Sequence, residues 1–185
     1  MVYPNEAHRS KAQRESAAIP PPVRESRFVY LRQLEPRDYA SIRAEEFSSD
    51  TVGLYRSRGR TLPPERWVAS LWDGVVLQLG VIERSTDTLA GNVALYDFNQ
   101  MAGTAKIAAL IFHAQRGRGW PLEGVRLFVD LAFHQFPLRK LYMEIFSSNA
   151  RSLATARSAG FEEEGRLKNH EFVDGAYCDL HIFSL

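Results

Sequence analysis

"AALIFHAQRGRGWPLEG", residues 108–124, leaves an apolar strand, turns on two glycines and enters a helix. Gly117 and Gly119 stand one residue apart, each preceded by an arginine and followed by Trp120 and Pro121. Glycine lets a backbone approach a ligand closely, and the unbonded amides at a helix start point toward an anion. Arg116 and Arg118 add positive charge for outer phosphates. No G-x-x-x-x-G-K-[ST] loop occurs, and the third glycine of a dinucleotide fingerprint would fall on Leu122. On these residues alone, a phosphate cradle and a tight corner with two solvated arginines both stand.

Outward from this stretch, the hydrophobic periodicity gives an order of elements. Upstream, "RFVYLRQL" alternates as a strand, and "EPRDYASIRAEEF" and "PPERWVASLW" start helices at prolines. "VVLQLGVIER" and "TLAGNVALYDF" form a hairpin about "STDT", and "TAKIAALIF" is apolar enough for burial on both faces. Downstream, Leu122, Val125, Phe128, Val129, Ala132 and Phe136 recur at helical spacing. "LRKLYMEIF" reads as a strand with Leu141, Met143 and Ile145 on one face. "NARSLATARSAGF" reads as a short helix stopped by Gly160, and the chain closes in a hairpin about "DG". Residues 27–185 therefore form one α/β domain, and the polar, proline-ended residues 1–26 are expected to be a flexible arm.

A net charge of +1 gives no strong pull toward nucleic acid or anionic lipid. No apolar run has membrane-spanning length, and the first residues lack the apolar core of a signal peptide. The lone Cys178 excludes an internal disulfide framework and a thiolate metal site, so no metal is expected and a cytoplasmic location fits.

Three stretches in order carry a resemblance: "RGRGWPLEG", "NARSLATARSAGFEEEGRL" and "GAYCD". Through them the chain, from about residue 27 to the end, resembles the GNAT family of acyl-CoA-dependent N-acyltransferases, in its RimJ/RimL-like branch. The resemblance implies a mixed central sheet of about seven strands, mostly antiparallel, splayed in the middle and flanked by about four helices. It implies acetyl-CoA or another acyl-CoA as co-substrate, with its pyrophosphate on the amides of Arg116, Gly117, Arg118, Gly119 and Trp120. Its arm would lie along Ala108–Phe112, with Leu110 and Phe112 as contacts and a free strand N–H polarising the thioester. Asn149 would touch the arm, and Ser152 would protonate the leaving thiolate, unless its hydroxyl merely caps the helix. Against the family's Q/R-x-x-G-x-G/A turn, the first place falls on Ala114; Pro121 replaces a residue that normally has an amide hydrogen, and Ala156 stands where many members carry an acidic tyrosine.

An attacking amine must lose a proton, and Asp97, Glu45, Glu46 and His113 are the candidate acceptors, Asp97 first. The run Glu162–Glu164 reads as a solvated face. Tyr55 and Trp67 are candidates for an acceptor wall. Arg56, Arg58 and Arg60 read either as an exposed basic loop or as a carboxylate, phosphate or acyl-carrier-protein contact. The expected partner is an amine on a small molecule or a protein N-terminus; a homodimer is an open alternative. A non-catalytic acyl-CoA-binding scaffold is the competing class.

Overall fold

The computed structural model describes residues 21–48, 54 and 60–185. Its strands are β1 (Arg24–Glu25), β2 (Val29–Arg32), β3 (Val75–Glu83), β4 (Thr88–Asn99), β5 (Thr104–Ile111), β6 (Lys140–Phe146), β7 (Glu162–Val173) and β8 (Ala176–Ser184). The helices are α1 (Pro36–Glu46), α2 (Pro64–Ser70), α3 (Trp120–Gln135) and α4 (Ala150–Ser158). The strands make one eight-stranded sheet in the order β1-β2-β3-β4-β5-β6-β8-β7. Every pairing is antiparallel except β5 with β6.

The order matches the expected architecture, with one strand added. β1 pairs with β2 through Arg24↔Leu31 and Glu25↔Tyr30, so the sheet takes in residues assigned from sequence to the arm. Residues 1–20 lie outside the described residues. None of the described helices is long and apolar enough to cross a membrane.

Alternation along the strands separates two faces. Val29, Leu31, Leu79, Val81, Val93, Leu95, Ala105 and Ile107 point to one side, where Val125, Phe128, Leu131 and Ala132 of α3 cover them. Gly124 brings α3 close to the sheet: a Cβ there would stand 2.5 Å from Val81 Cγ1. On the other face Leu110 meets Ile42 of α1 together with Trp67 and Leu71 of the α2 region. Burial of these apolar stripes, at roughly 25 cal/mol per Å², is what holds helices of ordinary propensity in place.

β5 and β6 pair only through Thr104↔Lys140, Ala105↔Leu141 and Lys106↔Tyr142. Beyond Lys106, β5 continues to Ile111 alongside β4, and β6 continues to Phe146 alongside β8. The two halves of the sheet therefore part toward the C-terminal ends of two parallel strands. α3 begins just after one of those ends and α4 just after the other.

Candidate active site

The glycine turn bridges β5 and α3. His113–Gln115 form a single 3-10 turn, and Gly117 and Gly119 take φ of 79° and 80°. Such values favour glycine, and a Cβ at either position would have no protein atom within 4 Å. The positive φ, rather than crowding, demands glycine, and the space beside the turn is open. Gly119 is the N-cap of α3. Among the described residues, the amides of Gly117, Arg118, Gly119 and Trp120 have no backbone acceptor, whereas the Arg116 amide donates to His113 O at 3.2 Å. Four unused amides at the start of a 16-residue helix are the donor set a pyrophosphate needs. Pro121 sits in the first helical turn, where its missing N–H does not break the helix.

The two arginines differ. Arg118 is exposed and carries the mobile charge expected of both. Arg116 is tied down: its Nε donates to Ile111 O at 2.9 Å and its Nη2 to Glu45 Oε1 at 2.8 Å. The same Glu45 oxygen accepts the His113 amide at 2.8 Å. Glu45 is thus a fastening of the turn. α1 places it there because Arg32 of β2 grips Asp38 at 2.7 and 3.1 Å, two turns earlier on the same helical stripe. Counted from Arg116, the turn also reads R-x-x-G with Gly119 in fourth place, and this frame puts Pro121 in the family's Gly/Ala place. Ala114 is an exposed residue of the 3-10 turn.

The phase of β5 corrects the arm contacts. Phe112 N–H donates to Ala90 O at 2.8 Å, so the peptide groups of Leu110 and Phe112 face β4. Leu110 O lies so near Gly91 that a Cβ there would be 1.9 Å from it. The Leu110 side chain is buried against α1 and α2. Neither residue offers a free N–H; the amides directed into the gap are those of Ala109 and Ile111.

Across the gap, Asn149 caps α4 by accepting the Ser152 amide at 3.1 Å. The capping duty that competed for Ser152 falls to Asn149, and the half-buried Ser152 hydroxyl has no hydrogen-bond partner among the described residues. Ala156 is buried in the main core, so that position of α4 faces the sheet.

Where the strands part, Lys106 Nζ lies 2.9 Å from Glu144 Oε1 and 3.4 Å from Asp97 Oδ2. These contacts, the hydrogen bond to Glu144 foremost, hold the ammonium above its ordinary pKa. Glu144 escaped the sequence reading, although a lone charge inside "LYMEIF" is a usable signal. Gln78 and Asn92 escaped too. They are buried on the α1/α2 face, and Gln78 Nε2 and Oε1 and Asn92 Oδ1 have no partner among the described residues.

Other expectations change. Trp67 is 2 % exposed, core rather than acceptor wall, and donates from Nε1 to Oε2 of the buried Glu46 at 2.9 Å. Arg60 is exposed. His113 is exposed and joins the turn through its backbone amide. Tyr55, Arg56 and Arg58 lie outside the described residues. The Glu162–Glu164 run is no mere solvated face: Glu163 accepts from His181 Nδ1 at 2.7 Å and Arg157 at 2.9 Å, and Glu164 pairs with Lys140 and Ser184.

This geometry meets its counterpart among known proteins. Residues 29–162 match the acetyltransferase (GNAT) domain model. The chain belongs to the GNAT family. It is 31% identical over 107 residues to the probable N-acetyltransferase YjcK of Bacillus subtilis, covering 57% of this chain and 59% of that one. It is 27% identical over 100 residues to spermidine N(1)-acetyltransferase of Vibrio cholerae, covering 54% and 58%. The chain thus aligns with about three-fifths of the length of these relatives. In fold it resembles RimL, the ribosomal L7/L12 alpha-N-protein acetyltransferase solved with coenzyme A, at TM-score 0.75 and 15% identity over 89% of this chain and 97% of that one. It also resembles the Vibrio cholerae spermidine N-acetyltransferase solved with CoA and spermine, at TM-score 0.74 and 20% identity over 85% and 94%. Both likenesses are in the fold.

Proposed function

We propose that the chain is an acyl-CoA-dependent N-acyltransferase that moves an acetyl group from acetyl-CoA to a primary amine of a small molecule or protein N-terminus. One observation carries the reading: a turn of four unused amides opens onto the gap between β5 and β6, with a second helix start, Asn149 and Ser152, across it. Family membership and the CoA complexes of RimL and the Vibrio enzyme support it.

The acyl-CoA brings a thioester whose carbonyl carbon the amine attacks directly in a ternary complex. Gly117 to Trp120 hold the pyrophosphate, and Arg118 screens its charge. The Ala109 and Ile111 amides face the carbonyl oxygen, where one such donor is worth about 2.7–4 kcal/mol. Ser152 gives a proton to the departing thiolate and takes one back from the positively charged nitrogen of the adduct. With Glu45 engaged elsewhere, Asp97 takes the amine's proton, directly or through water, beside Lys106 and Glu144. A panel of amines mixed with acetyl-CoA, with free thiol followed over time, tests this. Amine-dependent thiol release is expected; CoA binding without release from any amine would favour a scaffold instead.

A further inference from the structure

Glu45 and Arg116 stand 71 residues apart in sequence, yet meet at the corner where β5 becomes the glycine turn. We propose that they form a positioning strut that aims the last amides of β5 at the thioester, an inference that rests on the acyl-CoA reading above. The peptide unit between Ile111 and Phe112 is held at both ends. Its N–H is bound by Ala90 O at 2.8 Å and its carbonyl oxygen by Arg116 Nε at 2.9 Å. A strand residue's N–H and C=O leave on the same side, so the grip on Ile111 O steadies the edge of β5 on which Ile111 N–H lies. That N–H has lost β6 as a neighbour, because the parallel pairing ended at Lys106. Pairing with β4 holds it from the Leu110 carbonyl at the other end of its own peptide, and Arg116 holds Ile111 O beside it.

Arg116 in turn is fixed by Glu45, whose Oε1 also takes the His113 amide. Both side chains are largely shielded, at 17% exposure for Arg116 and 13% for Glu45, so the pair is screened less than a surface bridge. One carboxylate oxygen thus ties α1 to both ends of the segment 113–116, directly ahead of the phosphate-facing amides. The planar guanidinium matters because a single group must reach a carbonyl and a carboxylate in different directions; a lysine ammonium lacks that fork. The strut acts through the backbone and touches no reacting atom.

The test uses Glu45→Ala, Arg116→Ala and the conservative Glu45→Gln, which keeps an oxygen acceptor, with folding of each checked by thermal melts. Hydrogen exchange on the ligand-free protein reads the strut itself: faster exchange over residues 107–119 is expected in both alanine variants, and unchanged exchange would overturn the proposal. Isotope-edited infrared spectra of bound acetyl-CoA labelled at the carbonyl carbon read the aim. The alanine variants should lose most of the carbonyl red shift and about 10²-fold in kcat, with KM for acetyl-CoA changing far less. Glu45→Gln should recover at least about tenfold of that loss, and the acid limb of its pH profile should stay in place. If Glu45→Gln is as inactive as Glu45→Ala and the acid limb vanishes, Glu45 is a proton acceptor and the strut is wrong. If the wild type binds no acetyl-CoA while the exchange result holds, the acyl-CoA reading fails and the catalytic role of the strut falls with it.

Discussion

Replacing Gly124 by alanine sets two opposed effects against each other, and the structure decides between them. In the interior of a helix the change ordinarily gains about 0.5–1 kcal/mol, because glycine loses more backbone entropy on folding. Here the new methyl would lie 2.5 Å from Val81 Cγ1 and 3.3 Å from Val29 Cγ2, against an ordinary contact of 3.4 Å or more. Val81 and Val29 are fully buried and β-branched, so neither turns away cheaply. Relief requires α3 to lift by about an ångström, and overpacking of this kind costs about 1–3 kcal/mol. The expected balance is a net loss of about 1–2 kcal/mol, or about 2–8 °C in Tm for a chain of this size. Urea melts should show a lower midpoint at unchanged slope. Because Gly124 lies one turn into α3, the lift also displaces the Gly119 and Trp120 amides, and CoA should bind several-fold more weakly. The double variant with Val81→Ala should show a coupling of about 1–3 kcal/mol, because the clash is shared. A Gly124→Ala protein stabilised by about 0.5–1 kcal/mol with wild-type CoA affinity would refute the close approach of α3.

Gly119→Glu is expected to abolish CoA binding in calorimetry, since a carboxylate enters the open space beside the turn and φ there is unsuited to a side chain; retained affinity removes the phosphate site. Ser152→Ala should lower kcat about 10²–10⁴-fold while leaving CoA affinity intact, and full turnover would strike it from the mechanism. The Asp179 carboxyl is held below its ordinary pKa of 3.8, first by the Asn169 amide and then by Arg166. Its contribution is present above pH about 4 and is lost as pH falls through the lowered value. Hydrogen exchange should show the β7–β8 hairpin loosening only below that range. Asp179→Asn should flatten that acid dependence; a dependence that persists would place its origin elsewhere.

Local pattern revealed much of this fold, because most of its helices and strands have one buried face. Val125, Phe128 and Ala132 show their spacing openly, and Leu141, Met143 and Ile145 alternate as a strand facing the core should. β1 was hidden because a two-residue strand has no period of its own and exists only through its pairing with β2. The same limit applied to the site. That Gly117 and Gly119 bend the chain was legible, since positive φ is a property of the residue itself. That Arg116 serves Glu45 and Ile111 while Arg118 stays exposed was not, because adjacent identical side chains are told apart only by what the fold brings beside them. Leu110 and Phe112 were misplaced by one residue for a related reason: the phase of a strand's amides is set by its neighbour, here Ala90.

Opening a sheet at its centre creates two inner rims of unpaired backbone where a closed sheet would have none. Such rims are templates for another chain's strand, and natural outer edges are guarded with charges for that reason. Lys106, Asp97 and Glu144 place three charges at the crotch of the opening, and Arg116 already occupies the last carbonyl on the β5 rim. A polar ligand threaded between the rims would act as a substitute strand and cover what they leave bare. Ligand-free protein should accordingly be the more prone to self-association, so storage with CoA would protect the chain from its own kind as well as from heat.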